Sequence, residues 1–315
     1  MKSRLLFFLL LISVASAVPA QQKTVRVLVG LAPGGTVELV SRLYAEKLRA
    51  ALGVPVVIEN RVGASGLIAM EALRNSAPDG STLLFAPNGG VTLVPQTNRN
   101  ARFDQFKDLL PVAQVAIGDF VFAVNSGVGA RTLADYIGLA KQDAKYRNLG
   151  SALGTIPHLL SVLFANAAGF ELSQITYKGG GQVSIDILGG QLQASFVTPG
   201  EAVPHQRSGK MRLLAQSGAR RSALLPNIPT LRESGIAIDM SSWFGFYAPA
   251  GTPAAVIEQI GRPLVEAARS TEVRERLAQV GIEAAGRPAD EVARQMRADY
   301  EMWARAIKLA GLKPE

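Results

Sequence analysis

Two apolar rhythms alternate along this chain: short β-branched runs, and longer stretches with helical spacing. Residues 25–29, Val-Arg-Val-Leu-Val, predict a strand. Ala32-Pro33-Gly34-Gly35 interrupts it, and Thr36 is expected to cap a helix over 36–52. Leu39, Val40, Leu43, Leu48 and Leu52 give that helix its apolar face. Glu38 lies in its first turn, where the dipole favours an acid, and Gly53 closes it. A strand over 54–58, a helix over 66–74 and a strand over 82–86 repeat the pattern. Residues 112–124 read as one or two strands broken near Gly118. Thr132 with Asp135 three residues on marks a helix start of the capping-box kind. Further strands are predicted at 148–151, 174–177, 193–197, 211–217 and 243–248, and helices at 157–168 and 182–188. Two or three more helices fill 253–309.

Alternating β and α elements imply an α/β fold, with parallel or mixed sheets covered by helices on both faces. One sheet rarely absorbs so many units, and the length suggests two domains. No Gly/Ser-rich linker separates them, so the hinges are expected to be extended strand, with 120–125 and 241–247 as candidates. The expected division is a first lobe of 21–122 and 246–315 and a second of 123–245. The C-terminal helices would return to the first lobe.

The amino terminus changes the picture. Lys2 and Arg4 precede an apolar run over 5–14, and Ala15-Ser16-Ala17 and Val18-Pro19-Ala20 both fit the small-x-small cleavage rule. Residues 1–20 therefore read as a signal peptide, too short in its apolar run for a membrane span. A periplasmic location is expected. Cysteine is absent, which excludes a thiol-linked lipid anchor and disulfides alike. The chain carries 33 Lys and Arg against 25 Asp and Glu; without Lys2 and Arg4 the excess is six. Both signs are mixed along the sequence, with no basic block interleaved with aromatics, so nucleic acid is not an expected partner.

Candidate chemistry gathers at three glycine-rich strand-to-helix junctions: Pro33-Gly34-Gly35-Thr36, Leu153-Gly154-Thr155-Ile156 and Lys178-Gly179-Gly180-Gly181-Gln182. Open α/β sheets bind ligands at the carboxyl ends of their strands. Helix amino ends there offer unpaired N–H groups and a positive dipole, and glycine lets an anion come close. Thr36, Ser151, Thr155 and Gln182 add neutral hydrogen-bonding groups. Glycine is also common in such turns for backbone reasons alone, so the three loops carry weight only if they face one cleft. Lys178 is either an electrostatic helper or a surface residue.

Enzyme signatures are missing. His158 and His205 are the only histidines, and His158, just after Pro157, reads as a capping or packing residue. Neither a G-x-S-x-G elbow, nor a P-loop, nor a G-x-G-x-x-G fingerprint is present. No metal and no cofactor is expected. Glu38, Asp79, Asp119 and Asp186 read as caps, turns or surface charges, and Trp243 and Phe244 as core, hinge or cleft wall.

Taken in order, several strings resemble the Bug family of periplasmic solute receptors, the binding component of tripartite tricarboxylate transporters. They are Pro33-Gly34-Gly35-Thr36, Val56-Val57-Ile58-Glu59-Asn60-Arg61, Ala77-Pro78-Asp79-Gly80, Tyr177-Lys178-Gly179-Gly180, Leu188-Gly189-Gly190-Gln191, Ile228-Pro229-Thr230, Ser242-Trp243-Phe244-Gly245 and Pro249-Ala250-Gly251-Thr252-Pro253. The resemblance implies two Rossmann-like lobes joined by two crossing strands, a type II periplasmic-binding-protein architecture with the ligand between the lobes. It implies a small organic acid ligand, a di- or tricarboxylate or an aromatic acid, and integral membrane transporter subunits as partners. A monomer is expected. The binding positions it implies are Leu31, Pro33, Gly34, Gly35, Thr36, Asn88, Ser151, Gly154, Thr155, Lys178, Gly179, Gly180, Val197 and Thr198. Val197 stands where many members carry Asp, which points to a ligand without an amino group. The same module serving a sensor kinase is the alternative, and an exported α/β enzyme a remoter one.

Overall fold

A computed structural model describes residues 24–313. The expected signal peptide lies outside the described residues. The chain forms β1 (Val25–Val29), α1 (Thr36–Leu52), β2 (Val56–Asn60), α2 (Leu67–Arg74), β3 (Thr82–Pro87), α3 (Asn88–Thr92), α4 (Val94–Thr97), β4 (Leu109–Ile117) and β5 (Val121–Asn125). It continues with α5 (Leu133–Gln142), β6 (Asn148–Ser151), α6 (Ile156–Ala168), β7 (Ser173–Thr176), α7 (Gly180–Leu188), β8 (Ala194–Val197), α8 (Pro199–Arg207) and β9 (Met211–Gln216). β10 (Trp243–Pro249), α9 (Ala254–Arg269), α10 (Thr271–Ala278), β11 (Glu283–Pro288) and α11 (Ala289–Ala310) complete it.

Two mixed sheets result, ordered β11-β4-β10-β3-β1-β2 and β7-β6-β8-β5-β9. The period-two pattern sorts side chains between their faces. On β1, Val25, Val27 and Val29 face α1 and α9, while Leu28 faces α2. On β5, Phe122 and Val124 join the core under α5 and α6, while Val121 and Ala123 join that under α7 and α8. Each sheet is thus buried on both sides, as an α/β layer fold requires.

The chain crosses between sheets twice, at 118–120 and 217–242, and the boundaries expected at 122/123 and 245/246 fall inside β5 and β10. The two crossings are tied together. Gly118 N–H donates to Ser242 O (3.0 Å) and Ser217 N–H to Phe120 O (2.8 Å). Phe120 N–H donates to Ser217 Oγ (3.0 Å), whose hydroxyl donates to Met240 O (2.6 Å).

α11 returns to the first lobe only in part. Val292 and Met296 pack under the first sheet, whereas Trp303 and Ala306 lie in the core of the second lobe. The helix therefore straps both lobes together.

Several elements depart from the sequence expectations, the short helices α3 and α4 among them. Gly35, with φ −94° and ψ 175°, is the N-cap of α1, and Thr36 is the first helical residue, not the cap. β11 was absent from the expected pattern because Glu283–Pro288 lacks β-branched and aromatic residues and pairs only at a sheet edge, with an irregular register. α8 was absent because Pro199, Gly200 and an internal Pro204 mask it and it has no clear apolar stripe.

Candidate ligand-binding cleft

The carboxyl ends of β1, β6, β7 and β8 open onto a single cavity of about 760 Å³ between the lobes. Leu31, Pro33, Gly34, Gly35 and Thr36 line it from the first lobe. Ser151, Thr155, Lys178, Gly179, Gly180, Val197 and Thr198 line it from the second. The three glycine junctions therefore share one cleft. Its body is apolar, with Met70, Phe85, Ile156, Leu188, Phe196 and Phe244 in its wall, and its polar groups are concentrated at the helix amino ends. A second hollow of the same volume lies between β4, α9 and α11 on the first lobe alone, lined by residues such as Val112, Ile257 and Val265. It meets no strand-to-helix junction of the second lobe.

Two expected positions do not face the cleft. Asn88 is fully buried, and its side chain is occupied on both ends. Its Nδ2 donates to Asp299 Oδ2 (2.9 Å), and its Oδ1 accepts from Ser242 Oγ and Trp243 N (both 3.3 Å). Asp299 also accepts from Trp243 Nε1 (2.8 Å) and Gln295 Nε2 (2.7 Å). Asn88 thus ties β10 to α11 and lies behind the cleft wall, outside the cavity lining. Gly154, in the left-handed region at φ +71°, gives its N–H to His158 Nδ1 (3.1 Å) and its carbonyl to Thr97 Oγ1 (3.1 Å). His158 is accordingly a loop-fixing residue, as its place after Pro157 suggested.

Hydroxyls of the first lobe reach across to the second. Thr36 Oγ1 lies 2.7 Å from Thr198 Oγ1, Ser65 Oγ donates to Leu153 O (3.1 Å), and Thr97 donates to Gly154 as above. Ser65 and its neighbour Ala64 hold φ of +54° and +46°, a strained backbone for residues with a Cβ. Thr155 Oγ1 is turned inward to Ala152 O (2.6 Å), and Ser151 Oγ accepts from Gln174 Nε2 (2.9 Å).

Glu201 is the site residue that sequence reasoning missed. It lies in the first turn of α8 and lines the cavity. Its Oε2 accepts from Thr198 N–H (3.1 Å). A Cβ on Gly180 would lie 2.5 and 2.6 Å from its two carboxyl oxygens, and one on Gly35 3.5 Å from Oε1. The absence of a side chain at Gly180 therefore makes room for the protein's own Glu201 carboxyl group. Burial pushes the Glu201 carboxyl above its ordinary range, against the N–H of Thr198, which favours the charge. Val197 is buried and apolar, but the wall it belongs to does carry an acid, one helical turn later. The signal was Thr198-Pro199-Gly200-Glu201, a threonine followed by Glu three residues on with proline at the first helical position.

The remaining acids sort as expected with one exception. Glu38 accepts from Gly34 N–H (2.6 Å) and pairs with Arg42; Asp79 accepts from Ser81 N–H (2.9 Å); Asp186 accepts from Tyr177 Oη (2.6 Å). Asp119 is instead enclosed between the two crossings. A Cβ on Gly218 would lie 1.9 Å from its Oδ2, and its Oδ1 has no hydrogen-bond partner. Burial pushes its carboxyl up to about 6; Glu283 adds to this, and Ser241 and Arg220 oppose it.

A family model for the tripartite tricarboxylate transporter family receptor (TctC) matches residues 40–312. The chain belongs to this family. Protein BugT of Bordetella pertussis is 31% identical over 298 residues, covering 92% of this chain and 90% of BugT. A UPF0065 protein of Bordetella bronchiseptica is 31% identical over 306 residues, covering 95% and 91%. Among solved structures, R. palustris Rpa4515 with adipate superposes with a TM-score of 0.89 at 28% identity, covering 93% of this chain and 98% of that one. Periplasmic binding protein BugD gives 0.87 at 26% identity, covering 93% and 99%. MatC of Rhodopseudomonas palustris with malate, at 24% identity and a TM-score of 0.84, shares the fold, covering 90% and 98%. This TctC receptor thus has the two-lobed periplasmic-binding-protein architecture, with its cleft where the strand ends of both lobes meet.

Proposed function

We propose that this TctC receptor captures a small carboxylate between its lobes and delivers it to a tripartite tricarboxylate-type membrane transporter. The observation that carries the reading is the convergence of the α1, α6, α7 and α8 amino ends from two lobes on one cleft. Such ends stabilise an anion through free N–H groups and the helix dipole. Neutral hydroxyls and the Lys178 ammonium complete the polar set, and the apolar wall suits the carbon body of a dicarboxylate. The family and the structural likeness to periplasmic binding protein BugD support reading the protein as a binding protein. The adipate held by Rpa4515 and the malate held by MatC support the ligand class.

Binding is coupled to closure about the crossings at 118–120 and 217–242, which we take as the hinge. The Thr36–Thr198, Ser65–Leu153 and Thr97–Gly154 contacts hold the closed arrangement. We take the protein to act in the periplasm, in keeping with its membership of the receptor family. Titrating ligand-stripped protein with succinate, malate and adipate in a calorimeter tests the binding claim. Saturable one-to-one binding of at least one is expected; heat-silent titrations for the whole acid series would refute it. Loss of uptake of the bound acid in a strain lacking this chain, restored by the intact gene, tests delivery.

A further inference from the structure

The cleft that we read as a carboxylate site already contains a carboxyl group. Glu201 lies at the amino ends of α1, α7 and α8, with Oε2 on Thr198 N–H and both carboxyl oxygens within 2.6 Å of where a Gly180 Cβ would stand. A ligand carboxylate drawn to the same helix ends must come to rest beside it. We propose that Glu201 is a ligand-binding residue that holds the ligand carboxylate through one shared proton, so that capture takes up a proton from solvent. This deepens the receptor reading above and rests on it.

The charges around Glu201 support this reading for a bound dianion. Lys178, ahead of α7, and His205, one turn along α8, are the other titratable side chains lining the cavity. On α1, Glu38 is held by Gly34 N–H and Arg42; on α7, Asp186 is held by the Tyr177 hydroxyl. With Lys178 and Glu201 both ionised, these two side-chain charges cancel, and only the helix amino ends are left to offset the two charges of a dianion. Two carboxylates in one enclosed site do not both stay ionised; one proton between them converts repulsion into a strong, charge-assisted hydrogen bond. The balance is simple. One proton leaves the buffer and bridges Glu201 Oε1 and a ligand oxygen, and no bond to carbon changes. Burial has already raised the Glu201 carboxyl, which prepares it for that proton.

Proton-linked binding has a direct readout. Adipate and succinate are titrated into the ligand-stripped full-length mature protein in buffers of different ionisation enthalpy at about pH 7. The slope of observed heat against buffer heat counts the protons. We expect uptake approaching one proton per ligand and an affinity that falls about tenfold per pH unit above neutrality. Glu201→Gln supplies an N–H in place of the proton, so it should bind the acid with no uptake and a flat pH profile. Uptake that persists in His205→Gln supports the assignment; uptake that disappears there and persists in Glu201→Gln overturns it. Binding without proton uptake in the unmodified protein also overturns it, as does preference for an amino acid over the matching dicarboxylate, because Glu201 would then be an ionised acceptor. If the unmodified protein and both variants bind no carboxylate, the receptor reading fails together with this inference.

Discussion

The hydroxyls of Thr36 and Thr198 meet at 2.7 Å, the first on α1 of one lobe and the second at the start of α8 in the other. The contact exists only when the lobes are together, so it reports on closure and not on the folding of either lobe. It depends on Gly200, where a Cβ would lie 2.3 Å from Thr36 Oγ1. Gly200→Ala should therefore hold the lobes apart. Since alanine favours a helix over glycine by about 0.5–1 kcal/mol, the fold itself should not weaken. The expected outcome is at least tenfold weaker carboxylate binding with an unchanged or higher melting temperature. Thr36→Val should cost about 1 kcal/mol of binding, or roughly fivefold. Calorimetry on each variant checks both.

Asn88 makes the opposite prediction. It anchors β10 and α11 through Asp299, so Asn88→Ala strips buried partners from Asp299, Ser242 and Trp243. A loss of about 2–4 kcal/mol of folding stability is expected. Denaturant unfolding measures it. If Asn88→Ala left stability intact and abolished binding, Asn88 would be a ligand contact after all.

Asp119 sets a pH dependence. Its carboxyl is raised from 3.8 to about 6 by burial between the crossings. A raised acid binds its proton more tightly in the folded state, so folding stability falls as pH rises through the interval between the unfolded value and about 6. Above that interval the ionised group opposes folding by up to about 3 kcal/mol. Asp119→Asn should therefore raise the melting temperature at neutral pH, with the advantage shrinking towards pH 4. Differential scanning calorimetry across that range decides it; a variant less stable than the parent at neutral pH would contradict the burial argument.

The strained pair before α2 separates fold from closure. Ala64→Gly relieves a positive φ and should stabilise the protein by about 1 kcal/mol, with binding unchanged. Ser65→Gly relieves the same kind of strain but removes the donor to Leu153 O, so binding should weaken a few-fold. Melting curves and titrations of the two variants side by side test the distinction.

The α/β order was legible because strands such as Val25–Val29 and helices such as Thr36–Leu52 carry clean periodicities and glycine stops. The cleft was legible because ligand sites in such sheets lie at strand carboxyl ends, and glycines marked three of those ends. What periodicity hides is a side chain's final direction. Asn88 begins a short helix exactly as a binding residue would, yet its amide turns into the core to meet Asp299, a residue 211 positions away. Gly154 has the backbone of a ligand loop, but His158 takes its N–H. Glu201 escaped notice because Pro199, Gly200 and Pro204 disguise α8 as a loop. Asp119 resembled a turn residue because only the second crossing, a hundred residues later, encloses it.

A crystal structure of the ligand-stripped protein re-loaded with adipate tests the central claim most directly. The account predicts a single adipate in the cavity between the lobes, one carboxylate at the amino ends of α1 and α7 within hydrogen-bond reach of Glu201. Adipate lodged instead in the hollow between α9 and α11, with the cleft unfilled, would contradict it.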